Sequence, residues 1–192
     1  MSPSGLLCGS RALAVGCAAL VGLAEPMPTA PVVGSSRVFA ATVDIYYAPE
    51  DRPADRLVGL YEKAHKQILV AVYGLTYPPL VRALVAAKKR GVDVRVITDR
   101  EKVNDPKQRA ALETLRLADI PIKINVHDGL MHLKQVVIDD GVHVSGSMNH
   151  TTSGNQYNDE RLDVFTDIAT TKKARDKFHS MWNDATRYEP WR

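Results

Sequence analysis

Cysteine is almost missing from this sequence. The two that occur, Cys8 and Cys17, lie near the start of the chain. A chain processed beyond them has no disulfide framework and no thiol chemistry. Charge of one sign is also scarce. The formal net charge is only +3, so bulk electrostatics do not mark the chain as a polyanion binder. No apolar run reaches the ~20 residues that a spanning helix requires. Internal repeats and low-complexity segments are absent as well, which excludes solenoids and long tethers. What remains is 192 residues with an ordinary 45% hydrophobic and 24% charged share, a length for one compact domain.

The first forty residues differ from the rest. Arg11 precedes a short apolar tract, residues 12–24 (ALAVGCAALVGLA), then Pro26, Pro28 and Pro31 and a run of small residues ending in Ala40 and Ala41. A positive end, a short apolar core and a small-residue cleavage region form the layout of a secretory signal. The expected division is therefore a signal over residues 1–40, cut after Ala40, and one domain over residues 41–192. Ala24 and Ala30 are alternative cleavage points, and lipid attachment at Cys17 is a minor alternative. The expected compartment is the periplasm or the exterior.

Along the rest, two periodicities alternate. Strands are expected at 42–47, 67–73 (QILVAVY, apolar on both faces), 92–98 and 122–126, and helices at 54–66, from Pro78 to Gly91, and at 105–118. Asp105, Pro106 and Gln108 have the order of a cap, a first-turn proline and a capping-box partner. Beyond residue 126 strands cluster, at 131–139, 142–145 and 161–167, before a last helix at 171–185 that buries Ala174, Phe178, Met181 and Trp182. The polar stretch 151–158 (TTSGNQYN) is expected to be a loop. The fold class is α/β, a sandwich with a mixed central sheet and helices on both faces.

One constellation carries chemistry. His132 and Lys134 are two apart, Asp139 follows after four more residues, and six residues later come Gly146, Ser147 and Asn149, with Glu160 eleven beyond Asn149. Alternate residues of a strand share a face, so His132 and Lys134 point one way, and Ser147 and Asn149 do likewise on a neighbouring segment. Together they offer a nucleophilic imidazole, a point positive charge, a hydroxyl and an amide, which suits attack on an anionic phosphodiester. Gly146 would let backbone approach the ligand. Asp139 lies an odd step from Lys134, so an unbroken strand sends it to the opposite face, where its role is structural. Glu160 is the better carboxylate for fixing an imidazole tautomer, with Asp159 a substitute.

This spacing, H-x-K-x(4)-D-x(6)-G-S-x-N, resembles the signature of the phospholipase D superfamily at every fixed position. A random chain of this length would match six specified residues roughly once in several hundred thousand sequences, so coincidence is a poor account. The resemblance covers essentially the whole chain after the signal, and a single motif in so short a chain is similar to the small bacterial endonuclease branch. It implies a hydrolase working through a phosphohistidine on His132. It also implies a homodimer, in which the second His132 crosses a two-fold axis to act as acid and base. Glu160 is implied as the residue that orients the histidine. Neither cofactor nor metal is implied, because Lys134, Ser147 and Asn149 supply the charge and donors.

The other histidines offer no alternative metal site, since His127, His143 and His150 match none of the usual ligand spacings; His150, next to Asn149, stands equally as a rim residue of the site or as an ordinary structural histidine. Tyr46, Tyr47, Tyr73 and Tyr77 stand as packing residues or as stacking platforms for bases. Lys88–Arg90 and Lys172–Lys173 read as helix-end and solvated charges, or as a nucleic-acid track. The leading function is a nonspecific nuclease on DNA or RNA. The alternative is a phospholipase D releasing lipid headgroups, against which stands the lack of an apolar loop suited to a bilayer. A non-catalytic binding protein is the third reading.

Overall fold

The apolar runs become the centre of one sheet. A computed structural model describes residues 41–192; the signal and cleavage readings lie outside the described residues. Eight strands, β1 (Thr42–Ala48), β2 (Gln67–Val72), β3 (Asp93–Thr98), β4 (Ile122–Asn125), β5 (Lys134–Ile138), β6 (Val142–Gly146), β7 (Glu160–Thr166) and β8 (Tyr188–Pro190), lie in the order β1-β7-β6-β5-β2-β3-β4-β8. β2, β3 and β4 run parallel. The remaining pairs are antiparallel, so the sheet is mixed, as expected.

Both faces are covered. Helices α1 (Pro53–Glu62), α2 (Pro78–Lys89) and α3 (Pro106–Arg116) bury Leu57, Tyr61, Leu80, Leu84, Leu112 and Leu115 against one face. The last helix, α5 (Ile168–Asn183), packs Ala174, Phe178 and Met181 on Leu69, Ala71, Ile97 and Val137 of the other. β2 contributes to both clusters, Ile68 and Val70 to one and Leu69 and Ala71 to the other, because a central strand between two helical layers has no solvent face. Trp182 is only half-buried; its ring stacks on Phe178 at 5.7 Å and carries Arg95 and Lys123 on its flank.

Three expectations are corrected, and one element is new. The polar stretch 151–158 is not all loop: Thr151 caps a short helix, α4 (Thr152–Gln156), by accepting from the Gly154 N–H at 3.0 Å. Gly154 is required there, since a Cβ would run into the Asn149 carbonyl. Gln108 does not reach back to complete a capping box. Asp105 caps α3 alone, accepting from Lys107 and Gln108 N–H, while buried Gln108 accepts from Leu75 N–H at 2.7 Å and donates to Thr98 at 2.9 Å. The strand expected over 131–139 begins only at Lys134. β8 was not foreseen at all; its three residues pair with β4 through backbone geometry that no periodicity announces.

Candidate active site

Five strand ends converge on one edge of the sheet. β2 and β3 finish there and β5, antiparallel to β2, starts there, with Val72 opposite Lys134. β6 ends and β7 begins beside them, with Gly146 opposite Leu162. Residues that follow or precede these strands therefore gather without any long loop.

His132 lies two residues ahead of β5 in an extended segment, and it is exposed. The Lys134 ammonium sits against its ring, 3.0 Å from Nδ1 and 3.1 Å from Nε2, and donates to the His132 carbonyl at 2.9 Å. Lys134 is half-buried. Burial lowers its pKa, and the Glu160 carboxylate opposes that shift. The Asn149 Oδ1 accepts from Gly74 N–H at 3.2 Å, which turns the amide so that its NH2 is the end left to donate. Ser147 Oγ donates to Glu160 and accepts from Arg161 N–H at 3.0 Å.

Two site expectations change. Glu160 makes no hydrogen bond to His132 within the chain; its carboxylate is taken by Ser147 and by Asn158 at 3.4 Å, because β7 starts opposite the end of β6 rather than opposite β5. Its neighbour Asp159 is exposed. Gly146 does permit a close approach, but of protein rather than ligand. It has φ +151°, and a Cβ would collide with the Arg161 carbonyl on β7.

Asp139 sits in the turn after β5 with φ 51°. Its carboxylate accepts from the backbone N–H groups of His65, Lys66 and Gln67, at 3.1, 2.7 and 3.1 Å. It thus pins the start of β2, at the far end of that strand from Lys134.

His150 is not at a rim. It is 1% exposed, its backbone bonds to Gly74, Thr76 and Tyr77, and burial pulls its pKa down to about 4. His127 bonds the Asp128 carbonyl, and His143 stacks on Phe165 with both ring nitrogens unpartnered. Among the described residues no cluster of His, Cys, Asp or Glu is arranged to hold a metal ion.

The sequence reading missed the residues that hold His132 in place. Buried Asp99, at the end of β3, accepts from Met131 N–H at 2.6 Å and from Glu101 N–H at 2.8 Å. Asn125 donates to the Gly129 carbonyl and accepts from Arg100 N–H, and the Tyr73 N–H donates to the Leu133 carbonyl. Tyr73 also packs on the His132 ring at 4.9 Å, with the Lys134 and Lys102 ammonium groups each 5.4 Å from its own ring. A lone acidic residue after an apolar strand gives no signal of such a task. Leu130 and Leu133, on either side of His132, are exposed, with Met131 buried between them.

The arrangement can hold an anionic ester against an exposed imidazole, with a cation, an amide and a hydroxyl around it. The family model described as "Cardiolipin synthase, PLD-like domain" matches residues 57–182. The chain is 30% identical over 140 residues to mitochondrial cardiolipin hydrolase of Xenopus tropicalis, covering 73% of this chain and 64% of that protein. It is also 30% identical over 133 residues to phospholipase D of Rickettsia prowazekii, covering 69% and 63%. The chain thus spans about 64% of the length of such relatives. Among solved structures, the phospholipase D family member Nuc of Salmonella typhimurium superposes with a TM-score of 0.73 at 26% identity, covering 80% of this chain and 99% of that one. The chain belongs to the phospholipase D superfamily.

Proposed function

We propose that the chain is a metal-independent phosphodiesterase that passes through a phosphohistidine on His132, works as a homodimer, and cleaves nucleic acid after export. The observation that carries this reading is the exposed His132 ring against Lys134 and Tyr73, at the same strand ends that carry Asn149, bonded to Gly74, and Ser147, bonded to Glu160. In the first step an imidazole nitrogen attacks phosphorus, a P–N bond forms and the bond to the leaving oxygen breaks. The departing oxygen takes a proton from a second, charged imidazole. That imidazole, now neutral, removes a proton from water, and the hydroxide breaks the P–N bond. Lys134 and the Asn149 amide stabilise the charge on the phosphoryl oxygens, and Ser147 joins them when its hydroxyl turns from Glu160.

The second imidazole must come from elsewhere. His150 is buried and neutral near pH 7, so it cannot serve as the acid. A two-fold copy supplies another His132. In support, β1 is a sheet edge whose Val43, Ile45 and Tyr47 are 50%, 45% and 52% exposed. Tyr47 shares a shallow depression with Ser147 and Glu160. An apolar row that runs up to the site suits a self-complementary contact there.

Headgroup release from phospholipids is the second reading. It is favoured by the names of the curated relatives and by exposed Leu130 and Leu133, which could enter a bilayer surface. One assay separates the two: the protein with plasmid DNA and with phospholipid vesicles, both in EDTA. DNA cleavage lost in His132→Asn supports the proposal. Release from vesicles without DNA cleavage overturns the substrate, and activity that needs added Mg²⁺ or Zn²⁺ overturns the mechanism.

A further inference from the structure

Beside the active edge, on its α2–α3 side, lies a groove of about 870 Å³ whose walls come from α2, α3 and the start of α4. Asn149 and Gly74 line its inner end, so it opens directly from the place where the reacting phosphate would sit. Its floor is small and apolar, with Val81, Ala110 and Ala111, and its far wall carries the hydroxyls of Thr151, Thr152 and Ser153. Three cations face it: Arg82 on α2, Lys107 on α3, and Lys102 between β3 and α3.

Surface cations are usually solvated or paired, and these are not paired. None of the three enters an ion pair among the described residues. The one acid in the groove, Asp105, accepts the Lys107 and Gln108 N–H groups through one oxygen at the head of α3 and attracts Lys102 and Lys107 without closing an ion pair, so three cations face one carboxylate. Lys102 links the groove to the site. It lies 5.4 Å from the Tyr73 ring centre, and Lys134 lies the same distance from that centre, so the two ammonium groups are no more than twice that apart. A nucleic-acid strand carries a charge every ~3.4 Å along its axis, so neighbouring phosphates fall within that span. The volume lies in the range of roughly 300–1,000 Å³ typical of small-ligand sites, and an apolar floor under hydroxyls suits a base and its sugar.

We propose that this groove is a subsite for the phosphate and nucleoside next to the scissile diester of a nucleic-acid strand, with Arg82, Lys102 and Lys107 binding its phosphates. The inference rests on the nucleic-acid phosphodiesterase reading and adds where the neighbouring phosphate and nucleoside bind. It makes the enzyme prefer a strand over an isolated diester.

The test compares wild type with Arg82→Ala/Lys107→Ala on two substrates, a short oligothymidylate and bis(p-nitrophenyl) phosphate, which has no flanking phosphate. The ratio of the two kcat/KM values should fall at least about tenfold in the double variant, chiefly through KM for the strand. Fluorescence anisotropy reads the groove without turnover. Oligothymidylate binding should weaken by a similar factor, and the slope of log affinity against log salt should shrink by about 2, about one for each cation removed. An unchanged ratio with unchanged binding overturns the inference, and so does an equal loss on both substrates. If wild type turns over neither substrate but binds the strand through these residues, the hydrolase reading fails and the subsite stands. If the strand is not bound and the double variant instead loses binding to cardiolipin vesicles, the groove serves a lipid headgroup and the inference is overturned.

Discussion

The Lys134 ammonium and the Tyr73 ring confine the His132 imidazole, and Asp99, by taking the Met131 N–H, fixes the segment that carries it. Two substitutions separate chemistry from placement. His132→Asn removes the proposed nucleophile and should abolish turnover with the melting temperature preserved, because no binding group replaces a lost nucleophile. Asp99→Ala frees the buried Met131 N–H and the more exposed Glu101 N–H, and lets the segment shift. A misplacement of ~1 Å costs on the order of a hundredfold in rate, so kcat should drop by about that much while KM changes little. Asp99→Asn keeps one acceptor oxygen and should recover part of the rate. A full-rate Asp99→Ala enzyme would contradict the positioning role. His150 belongs to a different account. Its pKa is about 4 in the fold against an ordinary 6.5, so the unfolded chain binds the extra proton between those values. Its contribution to stability is complete above pH 6.5 and is lost as pH falls to about 4, on the order of 3 kcal/mol. Thermal melts of wild type and His150→Gln across that window should show a much flatter profile for the variant; parallel profiles would contradict it.

At the scale of elements, Asp139 joins the turn after β5 to the start of β2, and three backbone N–H groups depend on it. Asp139→Ala should destabilise the fold by on the order of 2 kcal/mol in urea unfolding, yet leave the rate of folded enzyme within a few-fold of wild type. A rate loss matching that of His132→Asn would place Asp139 in the chemistry instead. The central elements were legible in sequence for plain physical reasons. The run from Gln67 to Val72 is apolar on both faces, and Pro78 and Gly91 bracket a helix. What escaped the sequence was decided by contacts between segments. The turn of helix at Thr152–Gln156 depends on Gly154 passing under the Asn149 carbonyl, and β8 exists only because β4 offers an edge. Gln108 satisfies the local pattern of a capping box but is drawn into the core by the Leu75 N–H, which has a stronger need for a partner once buried. The motif residues were likewise legible by spacing, while the bond of Glu160 to Ser147 was not, because it depends on how β6 and β7 pair.

At the scale of the whole molecule, we propose that one chain is chemically incomplete. It holds one exposed His132 in the motif, and the neighbouring His150 is neutral near pH 7. The proposed cycle needs one neutral and one charged imidazole, so the rate should pass through a maximum with pH. Placing a charge in the exposed row of β1, as in Ile45→Asp, should shift the protein toward monomer in sedimentation and lower activity together with the dimer fraction. The most direct measurement uses mixed dimers of wild-type and His132→Asn chains, differently tagged and purified as heterodimers, with turnover followed in steady state. The account predicts almost no turnover, because one His132 cannot be both nucleophile and acid in the same cycle. Heterodimers that retain half the wild-type rate would contradict it.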